Sequence, residues 1–470
     1  MIDLTLGEIA EALDGTLTLD RSSLSIDSLV GGSVETDSRL IGDGSIFVAK
    51  PGLVTDGHLF VGAAVDSGAA LAIVERPVDE AIAQIVVHDV VVALGMLAAL
   101  VVKTVRARGN LTVVGITGSN GKTTTKNLLA TICSRVGDTV APRESFNNEV
   151  GAPLTMLRIR DETRFLIVEM GASAIGEIAS LVSLAKPDVG VVLTVGLAHA
   201  GGFGSLESTL IAKTEMVSHL LCDDLAILNA DDSRVASMAN KTPASVVWFG
   251  LDARADVRAT DIRATAQGTS FVLSIPGKEK RPVCFRVLGE HHVTNALAAS
   301  AAAHALGIGI DAIVAGLSSV ERADRWRMEV LGGARGVTVI NDAYNASPDS
   351  MAAALKTLAQ IVKPGARAIA VLGEMSELGE HADDEHDRIG QLVVRLNIAQ
   401  LVVVGGGARR IHLAAEREGS WHGESLFVET PDEAFALLAE LISPGDTVLV
   451  KSSNAAMLRF LGDRLGESFS

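Results

Sequence analysis

The amino-acid sequence predicts an α/β protein of three domains, and three observations carry that prediction. At 470 residues the chain exceeds what one ordinary core serves, at about 150 residues per domain. It is 48% apolar, with 46 Gly and only 3% aromatic residues, a balance that suits packed α/β units and excludes a mainly disordered or fibrous chain. Short apolar runs recur between stretches of helical periodicity, the pattern of buried parallel strands joined by helices.

The first region, 1–107, reads as a small α/β domain. Ser45-Ile46-Phe47-Val48-Ala49 is β-like, and helical stretches fall at 60–66 and 90–105. Arg106-Ala107-Arg108-Gly109-Asn110 is polar and reads as a linker. The second region, 108–324, opens on the strand candidate Leu111–Ile116. After a Gly-bearing loop, Leu128, Leu129, Ile132 and Val136 share a helix face. Further strands are predicted at 165–168, 189–193 and 225–228, which makes the unit a doubly wound sheet. The segment 246–287 is β-rich and an Ala-rich helix over 294–306 follows. The third region, 325–470, repeats the apolar-run pattern at 337–340, 368–372, 401–404 and 448–450, and reads as a Rossmann-like α/β unit.

The formal charge of −17 argues against nucleic-acid binding, which needs clustered Lys and Arg. Cys133, Cys222 and Cys284 are widely spaced and odd in number, and read as reduced core thiols of a cytosolic protein. The N-terminus lacks the basic start of a secretory signal. The apolar run 90–102 is short of the roughly 18–20 residues that span a bilayer, so a buried helix and a soluble protein are expected.

The segment Gly118-Ser119-Asn120-Gly121-Lys122-Thr123-Thr124 stands between a predicted strand and a predicted helix, the context of a phosphate-binding P-loop. Backbone N–H groups of such a loop wrap the β- and γ-phosphates of ATP at a helix N-terminus. Lys122 would neutralise the transferring phosphoryl group and the Thr123 hydroxyl would ligate Mg²⁺. The usual first Gly is Ile116 here, with Gly115 one residue earlier. Kinases, switches and transport ATPases share this device, so the loop alone leaves the reaction open.

Gly115–Thr125 resembles the ATP loop of the Mur ligases, which extend the peptide of the cell-wall precursor. The resemblance covers almost the whole chain. Thr36-Asp37-Ser38-Arg39, with Phe47-Val48-Ala49 and Asp56-Gly57-His58, is similar to the UDP-sugar domain of the family. Gly289-Glu290-His291-His292-Val293-Thr294-Asn295-Ala296 resembles its Gly-x-His-x-x-x-Asn-Ala element. Asn147–Pro153, Asn341–Met351 and Leu372–Glu380 resemble the MurF type, which adds D-Ala-D-Ala to UDP-MurNAc-tripeptide, and the Asp-Asn-Pro-Arg motif of many MurE enzymes is absent. Departures stand at Ser347, where Asn is usual, at Glu374, where Asp is common, and at Ser452 and Asn454, which replace the Gly and Arg of Lys-Gly-Ser-Arg. Only Lys451 carries over from that motif.

The resemblance implies roles for particular residues. Glu169 and His199 would hold Mg²⁺ with Thr123. Lys213 would be carbamylated by CO₂ and act as N-carboxylysine near a second Mg²⁺. Asn295, sharing a helix face with His291, would lie near the adenine; Arg327 would reach the γ-phosphate and Asp342 the ribose, from a domain that closes over the site. Ser38 and Arg39 would serve the UDP-sugar, and Asn147, Asn148, Tyr344 and Asn345 the substrates. Without the family, Glu169 is a solvated strand-end acid, His199 a lone structural histidine and Lys213 a helix-surface lysine.

The implied reaction makes an acyl phosphate from ATP and the terminal carboxylate of UDP-MurNAc-tripeptide, which the amine of D-Ala-D-Ala attacks. A cytoplasmic monomer without nucleic-acid partner or membrane span is expected. The alternatives are a sister ligase, MurE-like or folylpolyglutamate-synthase-like, and a nucleotide-dependent switch.

Overall fold

The computed structural model describes residues 1–470 except 20, 21, 53, 143, 198–203, 266, 321–323, 334, 335 and 420. Among the described residues the strands form four sheets. The largest has nine strands. From one edge it runs Thr139–Val140, Phe165–Glu169, Thr112–Thr117, Val189–Val192, Leu225–Asn229, Ser245–Gly250 and Val257–Thr265, all parallel. Gly268–Ser274 and Arg281–Phe285 then add as antiparallel strands. The predicted doubly wound sheet and its β-rich extension are therefore one continuous surface.

Thr112–Thr117 sits between neighbours reached in opposite directions. The strands at 139 and 165 lie on one side and those at 189 and 225 on the other. Such a reversal opens a crevice at the carboxyl ends of the strands, where α/β folds bind ligands. The phosphate loop leaves from this point. Helix Lys122–Cys133 follows, burying Leu128, Leu129, Ile132 and Cys133. Val136 is not part of that face: the helix ends at Ser134, and Val136 is exposed in the turn beyond.

The proposed linker at 106–110 is mostly helix. Val90–Arg108 is continuous, with Asp89 capping its start through Val91 and Val92 N–H and Gly109 at its end. Its polar last turn is used rather than free: Arg106 donates to Lys186 O at 2.9 Å and to Asp188 Oδ2 at 3.0 Å. Leu94, Leu97, Ala98, Val101 and Val105 join one core with Leu166, Val168 and Val192 of the central sheet. At 19 residues the helix is longer than the predicted apolar run and is long and apolar enough to cross a membrane, yet half of it is buried inside the protein.

The N-terminal sheet orders Thr16–Thr18, Ala83–Val86, Leu71–Val74, Ile46–Val48 and Val34–Glu35, antiparallel only at the first pair. The C-terminal sheet orders Glu329–Gly332, Thr338–Asn341, Thr447–Lys451, Ala368–Leu372, Gln400–Val404 and Glu424–Val428, again with one antiparallel edge pair. Ser347 caps helix Pro348–Ile361 in a reciprocal box with Ser350, and Pro348 fits the first turn. Of the three cysteines only Cys133 is a core thiol; Cys222 follows a helix in an exposed turn, and Cys284 points outward from an edge strand.

Candidate active site

The phosphate loop is held open by its glycines. Gly121 has φ +84°, and a Cβ there would stand 2.3 Å from Asn295 Oδ1. No side chain caps helix Lys122–Cys133, so its first N–H groups stay available for an anion. Lys122 folds back and donates from Nζ to Gly118 O at 2.7 Å. Burial lowers its pKa, against the carboxylate of Glu169 and in line with the charge of Arg327.

Glu169 ends its strand but is buried, not solvated. Thr123 Oγ1 lies 3.3 Å from Glu169 Oε1, and Asn147 Nδ2 donates to that oxygen at 2.9 Å. The other oxygen, Oε2, is buried without a partner among the described residues. Ser145 Oγ lies 3.1 Å from Thr123 Oγ1. A buried carboxylate oxygen with no donor, beside two hydroxyls, is a set of hard ligands that fits Mg²⁺.

The opposite wall comes from the C-terminal sheet. Arg327 donates from Nη2 to Thr123 Oγ1 at 3.2 Å and Ser145 Oγ at 3.4 Å, while its guanidinium lies 4.4 Å over the ring of Tyr344. Its neighbours Trp326 and Met328 have φ of +61° and +52°, strain that the surroundings hold in place. Trp326 Nε1 donates to Asp463 and its ring stacks on Tyr344. Asp342 accepts from Met328 N–H at 3.0 Å and pairs with buried Lys451 at 2.6 Å. Lys451 also donates to Asn345 O at 3.0 Å. Ser347 Oγ donates to Asn120 Oδ1 at 3.0 Å, joining this wall to the loop. The two walls enclose a cleft of about 740 Å³, also lined by His291, His292, Asn295, Asp231 and Arg234.

Residues 32–107 match the Mur ligase family catalytic domain, 116–303 the Mur ligase middle domain and 326–454 the Mur ligase glutamate ligase domain. Over 99% of its length the chain is 42% identical to the UDP-N-acetylmuramoyl-tripeptide–D-alanyl-D-alanine ligase of Mycobacterium tuberculosis, covering 98% of that protein. The chain belongs to the Mur ligase family, in its MurF branch. This Mur ligase shares its fold with the crystal structure of MurF from Acinetobacter baumannii, at a TM-score of 0.88 and 33% identity over 99% of both chains. MurF from Thermotoga maritima, solved in complex with ADP, matches at a TM-score of 0.81 and 26% identity, over 93% of this chain and 98% of that one. The chain is an ATP-dependent ligase.

The cleft of the Mur ligase gathers Ser119, Asn120, Gly121, Lys122, Thr123, Thr124, Asn147, Glu169, His291, Asn295, Arg327, Asp342, Tyr344 and Asn345. Gly118 contributes its carbonyl to Lys122. Asn148 stands outside the lining, its Oδ1 accepting from Gly151 N–H at 2.9 Å in the turn before helix Gly151–Met156. Ser38 and Arg39 are also outside it, in the turn Ser38–Leu40 of the N-terminal unit, where Arg39 pairs with Asp37 at 2.6 Å. His199 lies outside the described residues.

Lys213 corrects the reading of it as a surface residue. Helix Leu206–Ser218 packs on the central sheet, and Lys213 shares its buried side with Thr209, Ala212, Met216 and Val217, at 2% exposure. Burial and the nearby charge of Lys122 push its amine down to about 7, against Glu215 and Glu177. His291 is pushed down to about 4 by burial and is a neutral ring at neutral pH. His292, packed 4.2 Å from it between ring centroids, is also held well below the usual histidine range, by burial first. Its Nε2, like Glu169 Oε2, is buried without a partner among the described residues of the cleft wall. Ser145, Arg234, His292 and Asp349 were not singled out by sequence reasoning. Ser145 lies two residues before Asn147, and Asp349 lies inside the Asn341–Met351 segment, so proximity to a recognised motif was the available signal.

Proposed function

We propose that this Mur ligase adds D-Ala-D-Ala to UDP-MurNAc-tripeptide through an acyl phosphate, releasing ADP and phosphate. The observation that carries the reading is the single cleft in which the phosphate loop, Glu169 and Arg327 converge. The 42% identity to a ligase named for that reaction supports the choice of substrates. In this reading residues 1–107, with Ser38 and Arg39, hold the UDP-sugar. Residues 108–324 hold ATP, and residues 325–470 close the site and bring the dipeptide.

A tripeptide carboxylate oxygen attacks the γ-phosphorus and ADP leaves. The dipeptide nitrogen then attacks the acyl carbon, loses a proton, and phosphate departs with the carboxylate oxygen. The chain's part is alignment and neutralisation of charge. Lys122 and Arg327 face the phosphoryl group from opposite walls. Asn295 and His291 receive the adenine side and Asp342 the ribose, while Asn147, Tyr344 and Asn345 border the substrates. Thr123 and Glu169, with His199, would hold Mg²⁺, which would supply positive charge against that of the phosphates. The walls exclude water, which would otherwise hydrolyse the acyl phosphate.

Lys213 is carbamylated in this reading. Its neutral amine adds to CO₂ and releases a proton, giving a carbamate anion at Lys213. The depressed pKa and the burial support it, because only the neutral amine reacts. A nucleotide-linked substrate fits a cytoplasmic enzyme, and a cleft whose walls come from one chain fits a monomer. The test is phosphate release with UDP-MurNAc-tripeptide and a panel of amines. D-Ala-D-Ala should be preferred, whereas preference for a single amino acid or for glutamate would assign the chain to a sister reaction.

A further inference from the structure

The helix that follows the phosphate loop buries a second lysine one turn beyond Lys122. Lys126 is fully buried and is not among the residues that line the cleft. Its Nζ donates to Pro142 O at 2.9 Å and to Glu144 O at 3.2 Å, both in the loop between strand Thr139–Val140 and helix Gly151–Met156. An ammonium is costly to desolvate, and an apolar side chain would fill the same space at less cost. Two carbonyls from residues two apart converge on one cation only where the chain curves between them, so this pair of hydrogen bonds sets the curvature of the loop. At its other end the loop is held by Gly171 N–H, which donates to Asn147 O at 2.8 Å.

Between these two ties the loop carries the groups that meet the phosphate site. Ser145 Oγ lies 3.1 Å from Thr123 Oγ1 and accepts from Arg327 Nη2 at 3.4 Å, and Asn147 Nδ2 donates to Glu169 Oε1 at 2.9 Å. We infer that Lys126 is a positioning residue for the ligase reaction, fixing this loop so that Ser145 and Asn147 hold Thr123 and Glu169 in place for phosphoryl transfer. The inference rests on the reading of the cleft given above. It adds a residue that acts on the reacting groups only through the loop.

The test compares Lys126→Met and Lys126→Gln, each in the wild-type chain and in a chain carrying Ser145→Ala and Asn147→Ala, by phosphate release with UDP-MurNAc-tripeptide and D-Ala-D-Ala. Lys126→Met removes both ties and should lower kcat about 10- to 100-fold, the range for reacting groups displaced by a fraction of an ångström to about 1 Å. In the Ser145→Ala, Asn147→Ala background the same substitution should cost less than about 2-fold, because groups that act through one another are not additive. Lys126→Gln keeps an uncharged donor and should show a smaller loss, again confined to the wild-type background. Amide exchange over 141–150 in the ligand-free protein should quicken in both variants, more in Lys126→Met. A lysine that served the helix core alone would lower the melting midpoint and leave loop exchange and the kcat of the folded chain unchanged. Undiminished kcat in a folded variant, or the same fold loss in both backgrounds, overturns the inference. If Lys126→Met does not fold, Lys126→Gln in the two backgrounds decides by the same criterion. If wild type rejects D-Ala-D-Ala and accepts another amine, the substrate reading fails, and the same comparison with that amine decides the role of Lys126.

Discussion

Arg327 Nη2 lies 3.2 Å from Thr123 Oγ1, across 204 residues of sequence. The contact joins the C-terminal unit to the first turn of the phosphate-loop helix. In the proposed reading, a γ-phosphate seated on that helix terminus meets a guanidinium whose direction is already set by the Tyr344 ring. The charge is positioned before the reaction starts, which is the condition under which electrostatic stabilisation costs no reorganisation.

Removing that guanidinium should affect chemistry more than folding. Arg327→Ala is expected to lower kcat about 10²- to 10³-fold, the range for loss of one transition-state donor. Its thermal midpoint should stay near that of wild type, because the side chain lines a cleft and fills no core. Steady-state phosphate release and a melting curve on the same sample check both halves.

Gly121→Ala should injure ATP binding. The residue has φ +84° and its new Cβ would meet Asn295 Oδ1 at 2.3 Å, so either the loop or Asn295 must move. The left-handed conformation alone costs about 1–2 kcal/mol for an alanine. A KM for ATP raised about 10-fold or more, with an accompanying loss of stability, is the expected outcome.

Lys213 gives a pH signature. Its amine is held at about 7 instead of 10.5, so the neutral fraction that can react with CO₂ grows as pH rises through 7. In the uncarbamylated protein the folded state binds fewer protons than the unfolded chain between these two values. The burial cost is therefore full below pH 7 and fades as pH rises toward 10.5. Activity should fall in CO₂-depleted buffer and fall further on the acid side. Lys213→Ala should be inactive and partly rescued by short carboxylic acids; full activity without any acid contradicts the carbamate.

Lys451 and Asp342 form a largely buried pair that shapes the loop carrying Tyr344 and Asn345. Among the described residues Lys451→Met leaves the carboxylate of Asp342 with only the Met328 N–H, so a loss of about 3 kcal/mol is expected. Urea denaturation of variant and wild type measures it.

Much of this was legible in the sequence where chemistry is local. The phosphate loop declared itself by a strand, glycines and Gly-Lys-Thr in one short segment, and the parallel strands by apolar runs between helices. The rest depended on contacts that no local pattern encodes. Arg106 and Arg108 read as a polar linker because their charges suggest solvent, but Arg106 finds Asp188 some 80 residues on and the helix continues. Lys213 read as a surface lysine because helical periodicity does not say how closely a helix sits on a sheet. Without the resemblance Glu169 reads as a solvated strand end, and only the cleft shows that one of its oxygens lacks a donor among the described residues.

The most direct test of carboxylate activation follows an oxygen atom. UDP-MurNAc-tripeptide labelled with ¹⁸O in both oxygens of its terminal carboxylate is turned over with ATP and D-Ala-D-Ala, and the released phosphate is analysed by mass. An acyl phosphate transfers one labelled oxygen to every phosphate. Unlabelled phosphate would mean that water, not the carboxylate, attacks ATP in this cleft, and would contradict the account.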